Sequence, residues 1–139
     1  LTLIRHAEAG SAHGSRIRDC DRPLTERGRK EARELGLRLA GMGFMPDRIW
    51  CSDAERAEVS ARILSSELSL SGQSIELRPS LYLAHTTAIC EMIAAADSEI
   101  HSLVVVGHNL ADTLPYDTLQ EQLIIRNRLI KLLSLLFAH

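Results

Sequence analysis

The chain has 139 residues, of which 45% are hydrophobic and 24% charged, an ordinary composition for one globular domain. Its formal net charge of −2 lacks the basic excess of a nucleic-acid-binding protein, and no uncharged apolar run is long enough to span a membrane. Cys20, Cys51 and Cys90 form no Cys-x-x-Cys pair, which disfavours a disulfide framework and favours a reducing compartment. We therefore expect a cytoplasmic protein, with a single domain over residues 1–139, that binds neither nucleic acid nor membrane.

The chain opens on a short β-type run. Residues 1–4 are apolar or β-branched and predict a buried strand. Arg5 and His6 follow at once, and because a cation is costly to bury, we expect the strand to end there and deliver both side chains to a cleft. Residues 7–15 are rich in small and turn-forming residues and predict a loop that approaches a ligand closely. A strongly charged segment, 16–22, then leads to Pro23.

Strands and helices alternate over the middle of the chain. Thr25 is the predicted N-cap of a helix that ends at the glycines 41 and 43, and residues 46–51 predict the next strand. Ser52 or Asp53 is expected to cap a second helix. Residues 75–79, 86–96 and 103–108 predict a strand, a helix and a strand. The predicted core positions of the first two helices are Ala32, Leu35, Leu39 and Met42, and then Ala54, Ala57, Ala61 and Leu64.

This alternation is typical of a mostly parallel sheet covered on both faces, so we predict an α/β fold, a three-layer α/β/α sandwich. Residues 119–137 carry apolar positions at helical spacing, interrupted by charges. They predict an amphipathic helical tail, within residues 119–139, that packs on the sheet or on a partner subunit.

Three predicted site residues follow strand ends. Two buried strands each end on a histidine, His6 and His108, and Arg56 lies one turn into the helix after the strand over 46–51. Ligands of such sheets bind at the carboxyl edge of the strands, where these side chains should meet. The guanidinium groups of Arg5 and Arg56 can fork onto phosphoryl oxygens, and a neutral imidazole is a competent nucleophile toward phosphorus. We predict a site for phosphoryl transfer by positioning and charge stabilisation.

Each residue also has a plainer interpretation. A single histidine at a strand end is usually a half-exposed polar residue, and Arg56 could pair with acidic neighbours on a solvated helix face. A metal site made of His6, His13 and Cys20 matches no ligand spacing, and adjacent arginines would repel a divalent cation. We therefore expect neither a metal nor another cofactor.

Five segments occur in a familiar order, namely Arg5-His6, residues 21–28 (Asp-Arg-Pro-Leu-Thr-Glu-Arg-Gly), Ser52 to Ala57, Leu81-Tyr82 and Val106-Gly107-His108-Asn109. This order resembles the histidine phosphatase (phosphoglycerate mutase-like) superfamily, over roughly residues 1 to 109. The short length and the aspartates before Pro23 resemble its SixA-type phosphohistidine phosphatase branch. The resemblance implies a phosphoglycerate mutase-like fold, with His6 as the phosphorylated nucleophile. The phosphate pocket would be completed by Arg5, Arg56, His108 and Asn109.

The resemblance also bears on the substrate. Larger members carry a glutamate general acid just after the position matching Leu81-Tyr82, where this chain reads Leu-Ala-His. An alkoxide leaving group needs a proton, whereas imidazole, with a pKa near ~6.5, leaves far more easily. We therefore expect hydrolysis of a phosphohistidine on a signalling protein, such as a histidine phosphotransfer domain. Asp19 and Asp21 are the candidate general acids, although either could simply pair with a neighbouring arginine.

Two other functions stay open at this point. A broad phosphatase for small phosphoesters would use Asp19 or Asp21 as its acid. A non-catalytic phosphate-binding or scaffold protein would keep the arginines but would have no need of His6. The family pattern also includes a further strand after the last helix, whereas the periodicity of residues 119–137 predicts a helix.

Overall fold

The computed structural model describes residues 1–11, 14, 16–108 and 133–135. These contain one sheet of five strands in the order β3-β2-β4-β1-β5, and every strand pairing is parallel. Three short 3-10 turns, Asp19–Asp21, Gly72–Ser74 and Pro79–Leu81, lie in the connections. The strands and helices in chain order are β1 (Thr2–Arg5), α1 (Glu26–Gly41), β2 (Arg48–Cys51), α2 (Glu55–Glu67), β3 (Ile75–Leu77), α3 (Thr86–Ala94), β4 (Leu103–Gly107) and β5 (Leu133–Leu135).

The sheet is covered on both faces. Alternate residues of β1, β2 and β4 pack in one cluster with apolar residues of α1 and α2. The intervening residues of the same strands, including the buried Trp50, pack in a second cluster with Ile89 and Ile93 of α3. This two-sided burial explains why the strand over 103–107 is continuously apolar, and it confirms the predicted three-layer α/β/α fold.

Helix α1 begins as its sequence predicts. The Thr25 hydroxyl accepts a hydrogen bond from the Gly28 amide at 2.9 Å, so it satisfies one of the free amides of the first turn. The predicted core positions Ala32, Leu35 and Leu39 are buried. Met42 is 67% exposed, so its predicted place in the core was wrong: the helix ends at Gly41, and the chain has left the helical path by residue 42.

The start of α2 differs from the prediction. The helix begins at Glu55 with Ala54 as its N-cap, and no side chain caps it, so the expected cap at Ser52 or Asp53 was wrong. Instead the Ser52 hydroxyl accepts from the Ala54 amide at 3.2 Å and stays buried at the end of β2. The four predicted core positions of this helix are all buried, as expected.

The tail departs most from its prediction. Residues 133–135 form β5, which pairs with β1 in parallel, Thr2 opposite Leu133 and Ile4 opposite Leu135. The predicted helix over 119–137 is therefore wrong at these residues, because the strand satisfies the backbone donors and acceptors on the free side of β1. The other residues of the predicted tail lie outside the described ones. Within the described part of the chain, no helix combines the length and apolar character needed to cross a membrane.

Candidate active site

Three strand ends meet at one place on the sheet. Arg5 stands opposite Gly107 in the pairing of β1 with β4, and Cys51 stands opposite Val106 in the pairing of β2 with β4. The first amides after β1 and β2 continue the hydrogen bonding to β4. The His6 amide donates to the Gly107 carbonyl at 2.9 Å, and the Ser52 amide donates to the Val106 carbonyl at 3.1 Å. The parallel ladder therefore places His6, Ser52 and His108 side by side at the carboxyl edge.

Arg56 is the centre of the cluster. Its side chain is only 3% exposed, and all of its guanidinium nitrogens donate hydrogen bonds. The Nε donates to His6 Nε2 at 3.2 Å, while Nη2 donates to His108 Nδ1 at 3.3 Å and to Asp19 Oδ2 at 2.9 Å. The Nη1 donates to the backbone carbonyl of Asp19. The first turn of α2 thus carries a buried cation between the two histidines that the sequence predicted.

The two imidazoles adopt opposite tautomers. A guanidinium only donates, so the nitrogens that face Arg56, His6 Nε2 and His108 Nδ1, must carry lone pairs. His6 Nδ1 then donates to the Ala7 carbonyl at 2.7 Å, and His108 Nε2 donates to the Ser52 hydroxyl at 3.0 Å. The rings lie edge to face with centroids 5.3 Å apart. Both rings are therefore neutral.

Burial keeps the imidazoles of His6 and His108 neutral. Desolvation, followed by the charges of Arg56, Arg5 and Arg22, lowers the pKa of His6 to about 4 against the opposing effect of the Ala7 carbonyl. Desolvation is also the main cause that lowers the pKa of His108 to about 4, with Arg56 and His6 adding to it. At neutral pH His6 Nε2 therefore carries no proton, and in the structure its lone pair accepts the hydrogen bond from Arg56 Nε.

Arg5 contributes an unused donor. Its side chain is partly exposed at the end of β1, and its buried Nε has no hydrogen-bond partner among the described residues. A buried N–H without an acceptor is rare, and the charge of Arg5 lies close enough to both histidines to lower their pKa values, so this guanidinium can serve an anion that binds at the same edge. Asn109 and His13, the other residues discussed for this site, lie outside the described residues.

Asp19 faces Arg56 as an ion-pair partner. Its carboxylate accepts from the Tyr82 hydroxyl at 2.7 Å, from Arg22 at 2.8 Å and from Arg56 at 2.9 Å. These three hydrogen bonds, that of Tyr82 most of all, hold the pKa of Asp19 well below its usual range. The carboxylate is therefore ionised, and it has no proton to donate in this arrangement.

Asp21, the other candidate acid, lies outside the cluster. Its carboxylate pairs with the exposed Arg18 at 2.7 Å, and this hydrogen bond lowers its pKa. The geometry therefore supports the plainer interpretation of both aspartates, pairing with nearby arginines, over a role as general acid.

The sequence analysis gave no role in the site to three residues that the structure places there, namely Ser52, Ser60 and Tyr82. Ser52 and Ser60 are fully buried: the Ser52 hydroxyl contacts His108 directly, and the Ser60 hydroxyl accepts from the amide of Ala7, whose carbonyl holds His6. Tyr82, which the sequence named only as part of a motif, also stands edge to face with His108 at 5.3 Å. A signal existed for Ser52, the first residue after a strand, and for Ser60, one helical turn beyond Arg56 on the same face.

Comparison with known proteins agrees with this geometry. The family model of the histidine phosphatase superfamily (branch 1) matches residues 1–82, more than half of the chain. The chain belongs to this superfamily. A SixA protein from Agrobacterium tumefaciens has 30% sequence identity and a TM-score of 0.72, with 88% of this chain and 80% of that chain covered. The protein histidine phosphatase SixA complexed with tungstate has 27% identity and a TM-score of 0.67, covering 77% and 67% of the two chains.

The resemblance to the SixA-type branch is thereby confirmed. Among curated proteins, the adenosylcobalamin/alpha-ribazole phosphatase of Escherichia coli is 38% identical over 76 residues, which are 54% of this chain and 36% of that protein. The chain spans between 25% and 53% of the length of the curated relatives that it matches.

Proposed function

We propose that this chain is a phosphatase that takes a phosphoryl group onto His6 and then transfers it to water. The observation that carries the proposal is the pairing of His6 Nε2, a lone-pair nitrogen, with the Arg56 guanidinium at 3.2 Å. A phosphoryl group bound to this nitrogen would lie beside the donors of Arg56. A neutral nucleophile set against a buried cation suits the attack on an anionic phosphoryl group.

Two displacement steps follow from the arrangement. In the first, Arg56 Nε releases the lone pair of His6 Nε2, which forms a bond to phosphorus while the bond to the leaving group breaks and the leaving group departs with that electron pair. The Nδ1 proton stays on the ring and remains hydrogen-bonded to the Ala7 carbonyl, which stabilises the positive charge of the phosphorylated imidazole. In the second, water attacks phosphorus, the N–P bond breaks, and the water proton leaves with inorganic phosphate. His6 returns to its neutral state.

The arginines supply the charge stabilisation. Arg56 Nη2 now donates to the Asp19 carboxylate, and a phosphoryl oxygen would take over this donor. The unpartnered Nε of Arg5 offers a second donor from the neighbouring strand end. His108 presents the lone pair of Nδ1 to Arg56 in the structure, so it would donate to a phosphoryl oxygen only after Nδ1 has taken up a proton.

For the substrate we propose a phosphohistidine on a cytoplasmic signalling protein, such as a histidine phosphotransfer domain. The ionised state of Asp19 supports this choice, because the imidazole that leaves a phosphohistidine depends less on a general acid than an alkoxide does. The similarity to SixA structures supports the same substrate class, and the three free cysteines support a reducing compartment. The second candidate is a phosphatase for small phosphoesters, which the 38% identity to the Escherichia coli phosphatase favours.

The test is a rapid-quench trap of the covalent intermediate. The wild type, His6→Ala and the control His101→Ala, which replaces an exposed histidine outside the cluster, are each mixed with a labelled phosphohistidine donor and with a labelled aryl phosphate. We expect an acid-labile, alkali-stable label on the wild type and the control but not on His6→Ala, with faster labelling from the phosphohistidine donor.

Three other outcomes would change the conclusion. Equal labelling of His6→Ala would refute His6 as the nucleophile. Faster labelling by the aryl phosphate would replace the phosphohistidine substrate with a small phosphoester. No label on any protein, with inorganic phosphate still bound, would refute the enzyme and leave a phosphate-binding module.

A further inference from the structure

A buried serine joins the loop after His6 to the helix that carries Arg56. Ser60 lies on α2 with no exposed surface, and its hydroxyl donates to the Arg56 carbonyl at 2.7 Å. The same hydroxyl accepts from the Ala7 amide at 3.0 Å. One side chain thus connects the backbone of the buried cation to the residue that follows the nucleophile.

This connection reaches the imidazole of His6. Ala7 is fully buried, and its carbonyl accepts the Nδ1 proton of His6 at 2.7 Å. Two contacts therefore act together on the His6 tautomer: the Arg56 donor requires a lone pair on Nε2, and the Ala7 carbonyl requires a proton on Nδ1. Ser60 holds Ala7 in that position.

Ser52 has the corresponding place at the other histidine. It is also fully buried, and its hydroxyl contacts His108 Nε2 at 3.0 Å. The Ala54 amide donates to the same oxygen at 3.2 Å and so fixes the hydroxyl in place. Because Arg56 can only donate, the lone pair of His108 lies on Nδ1, and the Ser52 hydroxyl accepts the proton that Nε2 then carries.

We propose that Ser60 and Ser52 are positioning residues that, together with Arg56, hold the two imidazoles in opposite tautomers, with both lone pairs facing Arg56. Their effect on the reaction rate rests on the proposed function, whereas the tautomers follow from the contacts alone. Neither serine touches the transferred group. Ser60 acts on His6 through Ala7, and Ser52 acts on His108 directly.

The tautomers can be measured without any substrate. Long-range proton–nitrogen NMR correlation distinguishes a protonated Nδ1 from a protonated Nε2 in each histidine at neutral pH, and the His6→Ala and His108→Ala variants assign the signals. In the wild type we expect His6 protonated at Nδ1 and His108 protonated at Nε2. The reverse tautomer at either ring would overturn the proposal for the serine that holds it.

The variants test each serine separately. Ser60→Ala should convert His6 to a mixture of tautomers and leave His108 unchanged, and Ser52→Ala should do the opposite. Ser65→Ala, which removes the hydroxyl of another buried serine on the same helix, is the matched control and should change neither ring. An unaltered His6 tautomer in Ser60→Ala would overturn the role of Ser60.

The covalent trap adds the functional readout. Ser60→Ala should slow the labelling of His6 by about tenfold or more with little change in KM, because the nucleophile is misdirected rather than removed. Should Ser60→Ala fail to fold, Ser60→Thr and Ser60→Val form a pair of equal volume: the threonine should keep the wild-type tautomer and rate, and the valine should lose both.

The two proposals fail in different ways. A wild type that shows the expected tautomers but takes no label would refute the phosphatase and keep the positioning roles. A wild type that is labelled at His6, together with a labelled and unaltered Ser60→Ala, would refute the positioning role of Ser60 and keep the phosphatase.

Discussion

Acidification should destabilise the fold through the two buried imidazoles. The pKa of His6 and that of His108 are each about 4 in the folded chain, against about 6.5 in an unfolded one. A histidine whose pKa is lowered on folding contributes its full stability above the unfolded pKa. That contribution is lost as the pH falls from about 6.5 toward 4, because in this range the unfolded chain binds protons that the folded chain does not bind.

The magnitude follows from this difference. At pH 5 an unfolded imidazole is almost fully protonated, whereas one with a pKa of about 4 is still mostly neutral. Linkage then gives a loss of about 2 kcal/mol per histidine between pH 7 and pH 5, or about 4 kcal/mol for both. Ordinary carboxylates add little in this window because they titrate below it, near ~4. A typical domain is stable by about 5–15 kcal/mol, so the loss is large enough to measure.

Urea unfolding at pH 7 and pH 5 measures this loss as a difference in the free energy of unfolding. We expect a loss of about 4 kcal/mol for the wild type and about half of that for His108→Gln, which removes one titrating group. The control is His101→Gln, at an exposed histidine outside the site, which should lose as much as the wild type. The reasoning is refuted if the wild type, His108→Gln and His6→Gln all lose the same amount.

Three further predictions follow from single contacts. Arg56→Lys should slow the phosphorylation of His6 by about 100-fold or more in single-turnover quench, because an ammonium cannot reproduce the fork that Nε and Nη2 make between the histidines; a rate within twofold of the wild type would contradict this. Asp19→Asn should tighten the binding of inorganic phosphate about fivefold in calorimetry, because a charge that competes for Arg56 is gone; weaker binding would show that the carboxylate instead orders the pocket. Gly28→Ala should lower the melting temperature by several degrees, since its Cβ would stand 2.0 Å from the Glu8 carbonyl oxygen, whereas the matched control Gly41→Ala has open space there and should leave it unchanged or raise it.

The parts of the site that the sequence predicted are those set by local rules. A buried parallel strand is continuously apolar, so the first polar residues after it mark the carboxyl edge of the sheet, and this rule located Arg5, His6 and His108. Arg56 follows β2 within one helical turn, and the structure places it at the same edge. These positions depend only on the order of strands and helices, and that order is readable from periodicity.

The parts of the site that the sequence did not predict depend on contacts between segments that are distant in the chain. Asp19 meets Arg56 across 37 residues, and Ser60 meets Ala7 across 53, and neither pairing has a local pattern. An apolar segment such as the one containing β5 is compatible with a helix or with a strand. Residues 133–135 form a strand because they pair with the free side of β1. The prediction that Met42 lies in the core was wrong for a simpler reason, since a helix boundary can be predicted only to within a residue or two.

The pairing of Asp19 with Arg56 also determines how a phosphoryl group would bind. A guanidinium that is 3% exposed is unstable without an anion, and in the structure the Asp19 carboxylate supplies one. Under the proposed function, a phosphoryl group that binds therefore replaces the Asp19 carboxylate on Arg56 Nη2. The net gain in binding free energy comes only from the greater negative charge of the phosphoryl group and from the free donor of Arg5. The same exchange favours release of the product. Asp19 is 42% exposed, and Tyr82 and Arg22 hold it close to Arg56, so its carboxylate can bind Arg56 again when phosphate leaves. A site built in this way sacrifices phosphate affinity for turnover, which is what a hydrolase needs and a phosphate sensor does not.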